Sequence, residues 1–374
     1  MSNDDLLDSS IRHQVWLLRY GGTVANDVLR ILDAADRDLV AKITERVQRL
    51  GPLDHQRFGA GLATSKRLDA LLEDIRALSR DLRRALESHV MEGLRDLTKA
   101  ELEHAVRRLI EHGFMGVDIG ILRPSDAILR ELVTGAVLRG QTLRSWFKKL
   151  EADRLRMVES ATRLAMVEGD NIDQLRDRLT DTLDVSKRRA EALVRTSVNA
   201  VANRTRETLY QENADLLKGV RWVATLDSRT SPICSARDGM MFDIGEGPRP
   251  PAHPNCRSTI TPVVKSWDEM SGRNTLKRGR GGRDLDALFR KKLREKGLSA
   301  DEIKKAVRNG RSSIDGQVPG KITYAEWLRR QTRAVQNDLL GKQKARLFRD
   351  GKMSLDRFVD LRTGRPVTLG QLAA

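Results

Sequence analysis

Three side chains able to bind a soft metal, or to form a disulfide, crowd into one short stretch. Cys234, His253 and Cys256 all lie between Gly219 and Val263, and the chain has 2 cysteines in total. Thiolate and imidazole are good zinc ligands, and structural zinc takes four donors in a tetrahedron. The His253-x-x-Cys256 spacing, stiffened by Pro254, lets both side chains converge on one centre. Asp227 is the candidate fourth ligand, although carboxylates are uncommon in structural sites. A Cys234–Cys256 disulfide is a second reading; closing a loop of about 20 residues, it would stabilise by roughly 3 kcal/mol. The third reading is packing alone, with buried thiols and a hydrogen-bonded histidine pinning the loop to the core. All three stay open on sequence grounds, so possible structural zinc is the one cofactor expected.

Catalysis has less behind it. A Cys–His nucleophile pair needs an orienting third group and an oxyanion site, and the sequence specifies neither. A metal-dependent enzyme, a nuclease or other hydrolase, centred on Asp227, Cys234, His253 and Cys256 is the alternative function. It needs a further histidine or an acidic cluster to hold a catalytic cation. The remaining histidines, His13, His55, His89, His104 and His112, all lie in the N-terminal part. No Walker-type or dinucleotide-binding glycine loop is present. The expectation is a protein without turnover.

The elements that must position these residues can be read from periodicity. Val220 to Leu226 alternates like a strand, with Trp222 as its anchor, and Arg257 to Val264 reads as a second strand. The loop of about 30 residues between them is long enough to need its own constraint. Before them the pattern is helical from Asp5 to Gln48, with Gly21-Gly22 expected to bend or interrupt it, and Gly51-Pro52 ending it. Further helices are expected from Thr64 to Thr98, Lys99 to Glu111, Ser125 to Gly140, Thr142 to Val167, Asn171 to Thr182 and Val185 to Glu212. Beyond Lys265 a Gly/Arg-rich linker leads to helices at Asp284–Lys296 and Ser299–Asn309, then to an element from Thr323 to Gly341. The fold class is therefore mainly α with a small α+β domain: an elongated helical N-terminal region, a compact central domain and a basic helical tail. The expected domain limits are 1–170, 171–265 and 266–374.

Charge supplies the remaining constraint. The chain carries a net +16 with 32% charged, 39% apolar and only 4% aromatic residues, a composition of long solvated helices. Roughly +12 of that charge falls between Lys265 and Asp350. A field of that sign favours a polyanion, whether nucleic acid, an anionic membrane surface or an acidic partner protein; if the partner is nucleic acid, Lys277, Arg278, Arg280, Arg283, Arg290, Lys291 and Lys292 are the candidate DNA-binding residues. No apolar run approaches the length of a membrane span, and the acidic N-terminus lacks the features of a secretion signal. With so few cysteines, a reducing cytoplasm is the expected place of synthesis.

A resemblance adds to this reading. Arg195-Thr196, Asn199 and Asn203, then Trp222, Asp227-Ser228-Arg229-Thr230, Cys234 and Asp238-Gly239, then Pro250-Pro251-Ala252-His253-Pro254-Asn255-Cys256-Arg257 follow one another in a distinctive order. Over roughly Leu175 to Val264 the chain resembles the head morphogenesis family of tailed bacteriophages, the Mu F-like minor capsid proteins. Relatives often carry cysteine where Ser231 and Ser258 stand here, and glutamate at Ser197. The resemblance implies a minor virion protein at the portal vertex, inside the head, and in the host cytoplasm during assembly. Its implied partners are the portal protein, capsid or scaffolding protein and double-stranded phage DNA bound without sequence preference, with no membrane. Its implied roles are head assembly and DNA packaging or ejection.

Overall fold

Long stretches without proline make long helices, and four of these dominate the chain. Helix α1 covers Asn3–Gln48 and α2 covers Lys66–Arg108, followed by a π-helical turn at Leu109–Gly113. After the short α3 (Asp126–Thr134) come α4 (Leu143–Glu168) and α5 (Ile172–Glu212). The computed structural model of the protein describes residues 3–49, 66–114, 119–138, 140–265, 269, 310–313, 316–319 and 322–373. Its architecture is mainly α with small sheets.

Several helix limits differ from the periodicity reading. Gly21-Gly22 does not interrupt α1; a Cβ on Gly21 would sit 3.5 Å from Val198 of α5, so the missing side chain permits close helix packing instead. The expected breaks at Thr98–Lys99 and Thr182–Val185 are absent, because neither place has a residue that removes an amide donor or favours a turn. The helix expected to reach Gly140 stops at Thr134. A tight hairpin follows, β1 (Val137–Leu138) against β2 (Gln141–Thr142), turning at Gly140 with φ 81°. Thr142 then caps α4 by accepting the Ser145 amide at 3.2 Å.

The chain divides into two compact units, each assembled from separated stretches. The first takes Arg19–Leu97 and Arg130–Val201. Its core forms where α1, α2, α4 and α5 meet, through Leu39, Ile43, Leu71, Ile75, Val158, Leu175 and Leu179. Buried Arg154 pairs with Asp36, and Lys187 reaches Asp33 at 2.7 Å and Asp36 at 3.4 Å. Pairing is what makes such burial of charge tolerable.

The second unit takes Met1–Leu18, Thr98–Leu129 and Ala202–Ala374. Its centre is an antiparallel sheet in the order β4-β3-β5, with β3 at Leu217–Val223, β4 at Met241–Phe242 and β5 at Thr259–Val264. Trp222 lies opposite Ile260 and Val220 opposite Pro262. Every residue of β5 is buried. Asn203 on α5 holds that strand directly, its Oδ1 accepting the Ile260 amide at 3.2 Å. Helix α6 (Pro232–Arg237) occupies part of the segment expected to be loop. A hairpin of β6 (Gly310–Ser313) and β7 (Gly316–Pro319) precedes α7 (Tyr324–Arg329), α8 (Arg333–Leu340), α9 (Lys342–Arg349) and α10 (Leu369–Ala373). Tyr324, Trp327, Phe348 and Leu355 from this C-terminal part enclose Leu226, just beyond β3. The helices expected at Asp284–Lys296 and Ser299–Asn309 lie outside the described residues. Among the described residues no helix is long and apolar enough to cross a membrane.

A buried polar cluster joins α1, α2 and α5 in this second unit. His13 Nε2 lies 2.6 Å from Glu101 Oε2, and the buried Arg206 places Nε 3.2 Å from Glu101 Oε1. Arg108 bonds Ser10, and the His13 ring stacks on His104 at 3.7 Å between centroids. Burial, followed for His104 by His13 and the Arg108 charge, holds both imidazoles below their usual range, His104 down to about 3. An unfolded histidine protonates near its ordinary value of 6.5, so between about 3 and 6.5 the unfolded chain binds more protons. Stability should therefore fall as pH drops through that window. Thermal melts from pH 7 to pH 4 should show a steeper loss for the native chain than for a His13→Gln, His104→Gln variant; equal slopes would contradict the assignment.

Candidate metal centre

The loop between β3 and β5 folds back so that its two ends and its middle meet. Helix α6 begins after Ser231, with Pro232 at its first position where no amide donor is needed, and presents Cys234 one turn in. The second approach is a turn in which the Cys256 amide donates to the His253 carbonyl at 3.2 Å. Asn255 takes the left-handed conformation there, φ 56°, which asparagine tolerates better than most residues. His253 and Cys256 thereby face the same side.

The result is a tight group of donors. Cys234 Sγ lies 3.7 Å from Cys256 Sγ and 3.3 Å from His253 Nε2. The ligand atoms of all three residues lie within 4.8 Å of one another. His253 Nδ1 lies 2.8 Å from the Pro254 carbonyl oxygen and donates to it, which leaves Nε2 as the nitrogen facing the sulfurs. Both cysteines are 2% exposed and pack among Trp222, Ala224, Ile233, Ala236 and Val359. Electrostatics separates the two thiols. Hydrogen bonding from Cys234 and from His253 holds Cys256 well below the ordinary thiol range, while its bond to Cys256 and burial push Cys234 up. The contact with Cys256 correspondingly raises His253.

Asp227 is not among these donors, which corrects the four-ligand set that included it. Its carboxylate is committed to Arg257, with Nη1 to Oδ2 at 2.5 Å and Nη2 to Oδ1 at 2.6 Å. The Arg229 amide and the Thr230 hydroxyl add bonds to Oδ1 at 3.0 and 3.2 Å. Burial favours the neutral acid, but the Arg257 bonds outweigh it and hold the Asp227 carboxyl below its usual range. An enzyme centred on Asp227 together with the thiols loses its carboxylate to this pair.

The other singled-out residues build the scaffold. Asp238 joins two distant segments: Oδ1 accepts the Ala224 amide at 2.6 Å and Oδ2 the Tyr324 amide at 2.7 Å. Gly239 turns with φ 83° and donates to the Trp222 carbonyl at 2.9 Å. The Trp222 ring is buried with the Arg237 guanidinium 5.2 Å from its centroid. On α5, Arg195 pairs with Glu191 at 2.9 Å, Thr196 bonds the Ala192 carbonyl at 2.6 Å, and Asn199 is buried. Lys277, Arg278, Arg280, Arg283, Arg290, Lys291 and Lys292 lie outside the described residues.

Residues 156–261 match the family described as Phage Mu protein F like protein. This stretch is a Mu F-like domain. No curated protein and no solved structure matches the chain. The Mu F-like match runs from within α4 to β5 and takes in the whole donor cluster. The match supports kinship with the Mu F-like phage head proteins over this stretch.

Two contributors at the centre escaped the donor-by-donor reading of the sequence. Ser231 Oγ lies 2.7 Å from His253 Nε2, and the buried Ser258 hydrogen-bonds Cys234. Serine is too common to stand out by type; the only hint was the family resemblance, which implied cysteine at these two positions. Tyr324, whose hydroxyl donates to the Asp227 carbonyl at 3.1 Å, lies too far along the chain for spacing to connect it.

The Asp227–Arg257 pair is mostly buried and bidentate, so an Asp227→Asn variant should lose about 1–3 kcal/mol of stability. Urea unfolding measures it, and a loss below about 0.5 kcal/mol would mean the pair is dispensable.

Proposed function

We propose that this protein is a phage head protein, a minor component at the portal vertex acting in head assembly and in DNA packaging or ejection. The observation that carries the reading is the family match over residues 156–261. Two features are consistent with it. The four-helix unit offers long solvated helical surfaces suited to docking on portal, capsid or scaffolding protein. The charge excess of roughly +12 between Lys265 and Asp350 suits a segment lying against packed DNA inside the head.

On this proposal the protein performs no turnover. Both thiols of the donor cluster are buried, and its carboxylate neighbour is neutralised by Arg257. What the chain supplies on this proposal is helices that dock and a basic segment that meets DNA.

Quantitative mass spectrometry of proheads and mature virions tests the placement. A few copies per particle in both are expected, and absence from both while portal protein is present would sink the reading. DNA contact is tested separately. Deleting Lys277 to Lys296 should weaken duplex binding and flatten its salt dependence, because each phosphate no longer neutralised removes about 0.9 from the logarithmic slope. An unchanged slope would move the DNA contact elsewhere.

A further inference from the structure

We propose that Cys234, Cys256 and His253 Nε2 bind one soft divalent cation of the zinc class, with the Ser231 hydroxyl at the fourth position, as a structural staple. The proposal goes beyond the virion assignment and does not depend on it.

Distance carries the argument. A tetrahedral centre with metal–sulfur bonds of ~2.3 Å and metal–nitrogen bonds of ~2.0 Å places its sulfurs ~3.8 Å apart and each sulfur ~3.5 Å from the nitrogen. The observed separations are 3.7 Å between the sulfurs and 3.3 Å from Cys234 Sγ to Nε2. Two of the three donor–donor separations therefore match tetrahedral edges, and the third lies within 4.8 Å. A disulfide would require the sulfurs to close to ~2.05 Å, a movement that packing alone does not call for.

Orientation agrees. A ligating imidazole is commonly held by a hydrogen bond from its other nitrogen to a carbonyl, and His253 Nδ1 donates to Pro254 in this way. Ser231 Oγ, 2.7 Å from Nε2, stands on the same side of the ring as the thiols.

Donor type agrees as well. Two sulfurs and an imidazole nitrogen select zinc over magnesium or calcium. Binding forms two metal–sulfur bonds, one metal–nitrogen bond and one metal–oxygen bond to Ser231, in exchange for the cation's coordinated waters. The thiol protons of Cys234 and Cys256 and any proton on Nε2 leave to solvent, with no change of oxidation state.

The consequence is mechanical. An ion there joins α6 to the turn before β5, tying the early part of the long segment between β3 and β5 to its end. Ser231 explains why the set ends at three strong donors: a hydroxyl occupies the place where a thiolate would complete four.

The test uses the full-length chain, stripped by a chelator under a phosphine reductant and titrated with Co²⁺, then with Zn²⁺. Expected is binding of a single Co²⁺ with sulfur-to-cobalt charge-transfer absorption and tetrahedral ligand-field bands, displaced by Zn²⁺, together with a higher Tm in zinc. Ser231→Cys, which keeps both native thiols, should strengthen the charge-transfer absorption and tighten zinc binding. Cys234→Ser should lose the absorption; should that variant fail to fold, the native titration and Ser231→Cys still decide. The proposal is overturned if the native protein gives no charge-transfer absorption and its thiols are alkylated equally fast with and without Zn²⁺. Formation of a Cys234–Cys256 disulfide in the same reducing buffer overturns it too.

Discussion

The antiparallel register that sets Trp222 opposite Ile260 is the constraint on which the rest of the Mu F-like domain depends. Once β3 and β5 pair, the chain between Ala224 and Ser258 must leave the sheet and return to it, rejoining it on the way at β4. A segment of that length closes at a modest entropic cost but does not order itself. Outside β4 its order comes largely from polar side chains that take the place of regular backbone pairing. Asp227 grips Arg257 across the base of the loop, and Asp238 receives the Ala224 amide at the end of β3. The thiols and His253 come together inside the frame these two carboxylates make.

The same carboxylates reach the C-terminal part of the chain. Asp238 also accepts the Tyr324 amide, and the Tyr324 hydroxyl bonds the Asp227 carbonyl. Leu226 supplies the apolar counterpart, enclosed by Trp327, Phe348 and Leu355. A short sheet with few strands buries little surface by itself; Trp222 and Leu226 become fully buried only because later segments cover them. Burial in turn strengthens each of these hydrogen bonds, since the surroundings screen them less than water does.

The helical portions obey a different economy. In the unit built on α1, α2, α4 and α5, an aliphatic core is accompanied by buried charge that is always paired, Arg154 with Asp36 being the deepest instance. In the other unit, Glu101 stands between His13 and Arg206. Such pairs add little net stability over apolar packing, but they penalise any helix register that would part them. Helices as long as these, with repetitive heptad-like stripes, have many nearly equivalent ways to slide, and buried pairs discriminate among them.

Much of this was legible in the residues themselves. Apolar spacing marked the helices, alternation around Trp222 and Thr-Val enrichment near Ile260 marked the two paired strands, and the only cysteines pointed with His253 to one candidate centre. Helix ends were read less well, because glycine at positions 21 and 22 acts on a neighbouring helix at Val198 rather than on its own backbone. The sequence by itself determined which side chains could do metal chemistry and that they lay in one loop. Only the tertiary structure decided which of them meet: it gave Asp227 to Arg257 and set Ser231 against His253. The reason is physical. Donor type is a property of each residue, whereas the choice of partner depends on a loop closed by strand pairing and by contacts from segments far along the chain.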